Sequence, residues 1–163
     1  MKNKIPLEED LLQKWGLKTT ERIVEKIFEN SSGYDGLSIL LDADKLIACS
    51  YALGKILASY EIGLKAAQLR RFYESLLNIK TSVNAIGGKA DEIMLFKRDV
   101  LPEIRMLKPQ LASAKSRHPR ELTPFFDVMN LLLDRVENVN DYDRLCQFGE
   151  AVVAYHKYCG GRD

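Results

Sequence analysis

"EAVVAYHKYCGG", residues 150–161, decides how the rest of the chain is read. It holds one of the two histidines and one of the three cysteines, at His156-x-x-Cys159 spacing with Lys157 and Tyr158 between them. Such a pair belongs either to a metal or catalytic site or to the end of a helix. Leu145, Phe148, Val152, Tyr155 and Cys159 recur at intervals of three and four, the period of one helix face. Asn140 or Asp141 offers an oxygen to cap the start of that helix. Gly160 and Gly161 provide a left-handed stop, and Lys157 places a cation in the last turn, where it complements the macrodipole. The stretch is thereby explained as a capped, amphipathic helix. His156 lies on the line of Leu145, Gly149 and Val152 and reads as a core-edge histidine. A closed zinc site needs about four Cys or His ligands, and His118, Cys49 and Cys146 stand singly along the chain, so no metal set is expected.

The same period recurs along nearly the whole sequence, and no sustained alternation of period two appears. The expected fold is all-α, a small bundle of five to seven helices forming one domain over 1–163. "LEEDLLQKW" starts it; Thr19 or Thr20 caps "ERIVEKIFEN", which "SSGYDG" ends. Asp42 caps "ADKLIACSYALGKILASY". A helix over 65–83 carries Leu69, Phe72, Tyr73, Leu76 and Val83 inward, and on another face the polar stripe Gln68, Arg71, Ser75, Asn78 and Ser82. That stripe has almost no acid and so can receive an anion without repelling it. "DEIMLFKRDVLPEIRMLKPQLASAKSRH" is helical but punctuated by Pro102 and Pro109, each of which starts a new segment or kinks a longer one. In "LTPFFDVMNLLLDRVENV", Thr123 is the expected cap and Pro124 the first helical residue, with Phe125, Met129, Leu132 and Val136 inward. Gly149, inside the last helix, costs about 1 kcal/mol against alanine, which points to close approach of another helix.

Composition sets the limits on function. With 46% hydrophobic and 29% charged residues, the 163-residue chain is globular. It shows no secretory h-region and no apolar run of membrane-spanning length, so a soluble, cytoplasmic protein without membrane contact is expected. An odd number of cysteines suggests reduced thiols. Net charge is only +1, but it is unevenly spread. Between Lys97 and Arg120 seven cations face two acids, whereas from Asp127 onward seven acids outnumber four cations.

No Walker loop, zincin motif, nucleophile elbow or paired acidic motif is present, and no cofactor is expected. His118 and His156 permit a ribonuclease reading, as acid and base, with Lys157 stabilising charge. The basic segment gives a second reading. On a continuous helix Arg105, Lys108, Ala112 and Lys115 share a face beside the apolar line Ile104, Leu107, Leu111 and Ala114. Such a row can contact successive phosphates, without sequence preference and with strong salt dependence. Phe72, Tyr73, Phe125 and Phe126 sit on core stripes, which favours backbone contact over base stacking. A third reading is a helical module that meets only protein partners, itself included.

Four segments together, "QLRRFYESL" (68–76), "MLKPQLASAKSRH" (106–118), "LTPFFDVM" (122–129) and "QFGEAVVAYHKYCGG" (147–161), resemble the small subunit of type III-A CRISPR effector complexes, the Csm complex. The resemblance covers about residues 60–161 in order and leaves 1–60 as a variable helical extension of a family-like core at 61–163. It departs from the family pattern at Gly149 and Cys159 and within "LASAKSRH". It implies a non-catalytic helical subunit of an antiviral ribonucleoprotein, present in more than one copy, that holds guide RNA and target RNA and touches other subunits, with self-association also allowed. By matching motifs it implies Arg70, Arg71, Lys108, Arg117 and Lys157 as RNA or subunit contacts, and Tyr155 and His156 as packing or interface residues.

Overall fold

The computed structural model describes residues 4–33 and 35–163; Tyr34, within the expected terminator "SSGYDG", lies outside them. Among the described residues the chain is all-α. Its helices are α1 (Leu7–Trp15), α2 (Thr20–Ile27), α3 (Leu37–Leu40), α4 (Ala43–Ala58), α5 (Ala66–Asn78), α6 (Lys80–Ile86), α7 (Glu92–Leu95), α8 (Leu101–Arg105), α9 (Leu107–Arg117), α10 (Pro119–Leu133) and α11 (Val139–Tyr158), with a π-helical turn at Phe96–Val100. Eight of these have seven residues or more, slightly above the expected count. The excess comes from a break at Ile79, which divides the expected helix over 65–83 into α5 and α6.

Capping chemistry sets several boundaries. Thr19 accepts from Arg22 N at 3.2 Å and Asp42 from Lys45 N at 2.9 Å, starting α2 and α4 as the sequence predicts. Two expectations are corrected. Asn138, not Asn140 or Asp141, caps α11, accepting from Asp141 N at 2.9 Å. Thr123 lies inside α10, which begins a turn earlier at Pro119, and its hydroxyl donates back to the Pro119 carbonyl. Pro119 has the preset φ that suits a first helical position, leaving Pro124 as an interior proline. The other prolines act at segment starts. Pro102 has no N–H and follows the wide π turn, in which Leu101 N reaches back to Phe96 O. Pro109 is the third residue of α9, where an amide has no intrahelical partner to lose.

α4 and α11 form the centre of the bundle and run parallel. Arg144 donates to Leu41 O near their starts, and Gly54 lies against Tyr155 and His156 near their ends. α5 runs antiparallel to α11, with Tyr142 Oη donating to Leu76 O at 2.7 Å and Ala66 N to Arg162 O at 2.8 Å. α9 and α10 form an antiparallel hairpin beside them. One apolar cluster extends from Leu11 to Val152. No helix among the described residues is long and apolar enough to cross a membrane.

The stretch at 150–161 ends α11 as expected, but its buried face is rotated from the predicted one. Leu145, Phe148, Gly149, Val152 and His156 are buried, whereas Tyr155 and Cys159 are half-buried. Contact with α4 on one side and α5 on the other centres the face on Gly149 and His156. His156 is 1% exposed, and its Nε2 lies 2.6 Å from the Leu64 carbonyl, to which it donates. The ring occupies the space a β-carbon at Gly161 would need. Gly160 alone takes the left-handed turn, at φ 87°.

Candidate nucleic-acid interface

The polar stripe of α5 and one face of α9 line a common groove of about 610 Å³. α5 contributes Gln68, Arg71 and Ser75; α9 contributes Gln110, Ser113 and Arg117, and His118 closes the end. The floor is apolar, formed by Phe72, Leu111, Ala114 and Leu122, with Met106 and Pro109 at the edge. Among the described residues no aspartate or glutamate lines it. Asn78, the last residue of α5, and Ser82, beyond the break at Ile79, are not part of it.

Local bonding leaves the groove's polar groups available. The Gln68 side-chain oxygen accepts from Lys65 N at 3.3 Å, leaving its amide nitrogen free to donate. The Ser75 hydroxyl donates to Arg71 O at 3.0 Å and can still accept. Arg71 and Arg117 are exposed and, among the described residues, form no ion pair. Arg70 is exposed on α5, on a face turned away from Gln68, Arg71 and Ser75, and Lys157 is exposed on α11; both lie outside the lining.

The other three predicted cations are half-buried and turned toward α10. Arg105 donates to the Leu133 carbonyl and lies 3.7 Å from Glu137. Lys108 donates to Asn130 O at 3.3 Å and pairs with Asp134. Lys115 Nζ sits 4.3 Å from the centre of the Phe126 ring. The basic middle of the sequence is thus partly neutralised by the acidic segment that follows, and two of its cations serve the carbonyl end of α10. All three lie along one side of α8 and α9, as the helical spacing predicts, but that side packs.

His118 and His156 are not brought together. His118 lines the groove, while His156 is buried in the α4–α11 contact with its Nε2 committed to Leu64. The cysteines are unpaired, and burial pushes the Cys49 thiol up to about 12 and raises Cys146 and Cys159 as well. Among the described residues no three His, Cys, Asp or Glu side chains cluster in a way that could hold a metal ion.

Sequence reasoning missed Met106, Gln110 and Ser113 as site residues, along with the accessible side of Phe72. The signal was present: Met106, Gln110, Ser113 and Arg117 recur at helical spacing on the side opposite the basic row.

Together the fold and groove define an all-α bundle carrying a cationic, acid-free cleft. The family model Csm2 Type III-A matches residues 41–162, three quarters of the chain. The chain belongs to that family and is a small, structural subunit of the type III-A CRISPR Csm complex. The match takes in every helix from α4 to α11, whereas α1, α2 and α3 precede it. No curated protein matches the chain, and no solved structure does.

Proposed function

We propose that this subunit is non-catalytic and cytoplasmic, and that it holds the backbone of guide or target RNA in the assembled antiviral complex, with Arg71 and Arg117 across the α5–α9 groove as its principal contacts. The observation that carries this is the pairing of two uncommitted guanidinium groups in a groove lined by no acid. Arginine suits phosphate because its planar fork can donate two hydrogen bonds at once. Arg70 and Lys157, outside the groove lining, contact RNA or a neighbour elsewhere on the surface. Arg105, Lys108 and Lys115 support the site by fixing α8 and α9 against α10. Guide pairing supplies sequence selection, so the protein has no need to read it; the logic parallels other RNA-guided effectors.

Tyr155, half-buried between Tyr51 and the exposed Tyr158, is proposed to meet another subunit, while His156 acts in packing. The shared apolar cluster supports treating residues 1–163 as one domain, with 1–60 as a helical extension of the core at 61–163. The test is binding of the purified chain to single-stranded RNA of arbitrary sequence across a salt series. Affinity should fall steeply with salt and vary little with sequence; salt-insensitive binding, or none at low salt, counts against the proposal.

A further inference from the structure

We infer that the α5–α9 groove takes one unpaired nucleotide of the RNA, its base against Phe72 and Met106 and its flanking phosphates against Arg71 and Arg117. This rests on the RNA reading above and deepens it. A surface that only follows phosphates needs cations but neither depth nor an apolar floor. The groove, at about 610 Å³, falls within the range of about 300–1,000 Å³ typical of pockets that enclose a small molecule. Met106 is 59% exposed at its edge, and a thioether packs well against a flat aromatic face. Phe72 meets Phe125 edge-on, with ring centres 5.2 Å apart, and also lines the groove. The amides of Gln68 and Gln110 and the hydroxyls of Ser75 and Ser113 stand above this floor, able to donate to and accept from a base edge. The absence of acid in the lining admits the phosphates on either side. A base stacked and paired in a duplex has no free face to lay on the apolar floor and no free Watson–Crick edge, so the occupant is unpaired.

Stacking of one base on protein is worth roughly tenfold in affinity. The experiment compares the full chain's binding to two labelled strands of equal length and charge, one of uridine and one of abasic ribose-phosphate. The abasic strand is expected to bind about tenfold more weakly at the same salt, and Met106→Ala and Gln110→Ala, both at exposed positions, should narrow the gap. Equal affinity for the two strands overturns the nucleotide site but leaves backbone contact standing; no binding to either overturns both. A gap that neither substitution narrows puts the base elsewhere and overturns the assignment. So does a Met106→Ala chain that binds RNA normally but no longer co-purifies with the complex, since the groove would then seat a neighbouring subunit.

Discussion

Gly54 in the last third of α4 lies directly against the backbone of His156 in α11: a β-carbon at position 54 would stand 2.8 Å from His156 N and 2.9 Å from Tyr155 Cβ. The two central helices can approach this closely only because one of them has no side chain there. Alanine normally improves a helix interior by about 1 kcal/mol over glycine. Here the β-carbon meets backbone that cannot swing aside, and overpacking of this kind costs about 1–3 kcal/mol or more. Gly54→Ala is therefore expected to lower the Tm by several degrees. Gly149→Ala should cost less, because its nearest neighbour is the Tyr73 ring edge at 3.1 Å, which can shift. A Tm raised by Gly54→Ala would contradict the close packing.

His156→Ala removes a buried ring and leaves the Leu64 carbonyl without its donor. Cavity and lost hydrogen bond together predict a loss of about 2–4 kcal/mol, read as a lower denaturation midpoint with poorer solubility or assembly. Unchanged unfolding and unchanged incorporation into the complex would remove His156 from the packing role.

Asp141 connects α3 to α11. Its carboxylate is 1% exposed and accepts from Ser38 N at 2.8 Å and Glu137 N at 2.9 Å. Asp141→Asn keeps the shape but turns an amide NH₂ toward one of those donors and removes a negative charge from the first turn of α11. The expected loss is about 1–3 kcal/mol, measured by urea unfolding; an unchanged midpoint would show that the carboxylate does not hold the two elements together.

Burial raises the Cys49 thiol to about 12, so its thiolate is scarce in the folded protein near neutral pH. A raised thiol pKa moves reactivity to higher pH. Alkylation of native protein at pH 8 should leave Cys49 unmodified, and denaturant should expose it. Rapid labelling of Cys49 in native protein at pH 8 would contradict its burial.

The helical architecture was legible because apolar period and capping residues agree locally: Thr19 and Asp42 cap as their positions require. "TP" and "HP" offer similar helix starts in sequence, and only packing decides that α10 begins at Pro119, with Thr123 inside it. The candidate site was half legible. The acid-poor stripe of Gln68, Arg71 and Ser75 led to one wall of the groove, and the motif at 106–118 supplied Arg117 in the other. The basic row of Arg105, Lys108 and Lys115 was conspicuous for its charge, yet its partners Asp134 and Glu137 stand on another segment. Sequence spacing says which cations share a face; tertiary packing says whether their charges are already engaged.

The most direct measurement compares RNA affinity over a salt series for wild type, Arg71→Ala/Arg117→Ala and Lys108→Ala/Lys115→Ala. Each lost phosphate contact flattens the single-strand salt slope by about 0.7, so the arginine pair should reduce affinity and flatten the slope by about 1.4. The lysine pair should lower stability while leaving the slope near that of wild type. The reverse pattern, with the lysine pair flattening the slope and the arginine pair leaving it unchanged, would contradict the groove as the RNA contact.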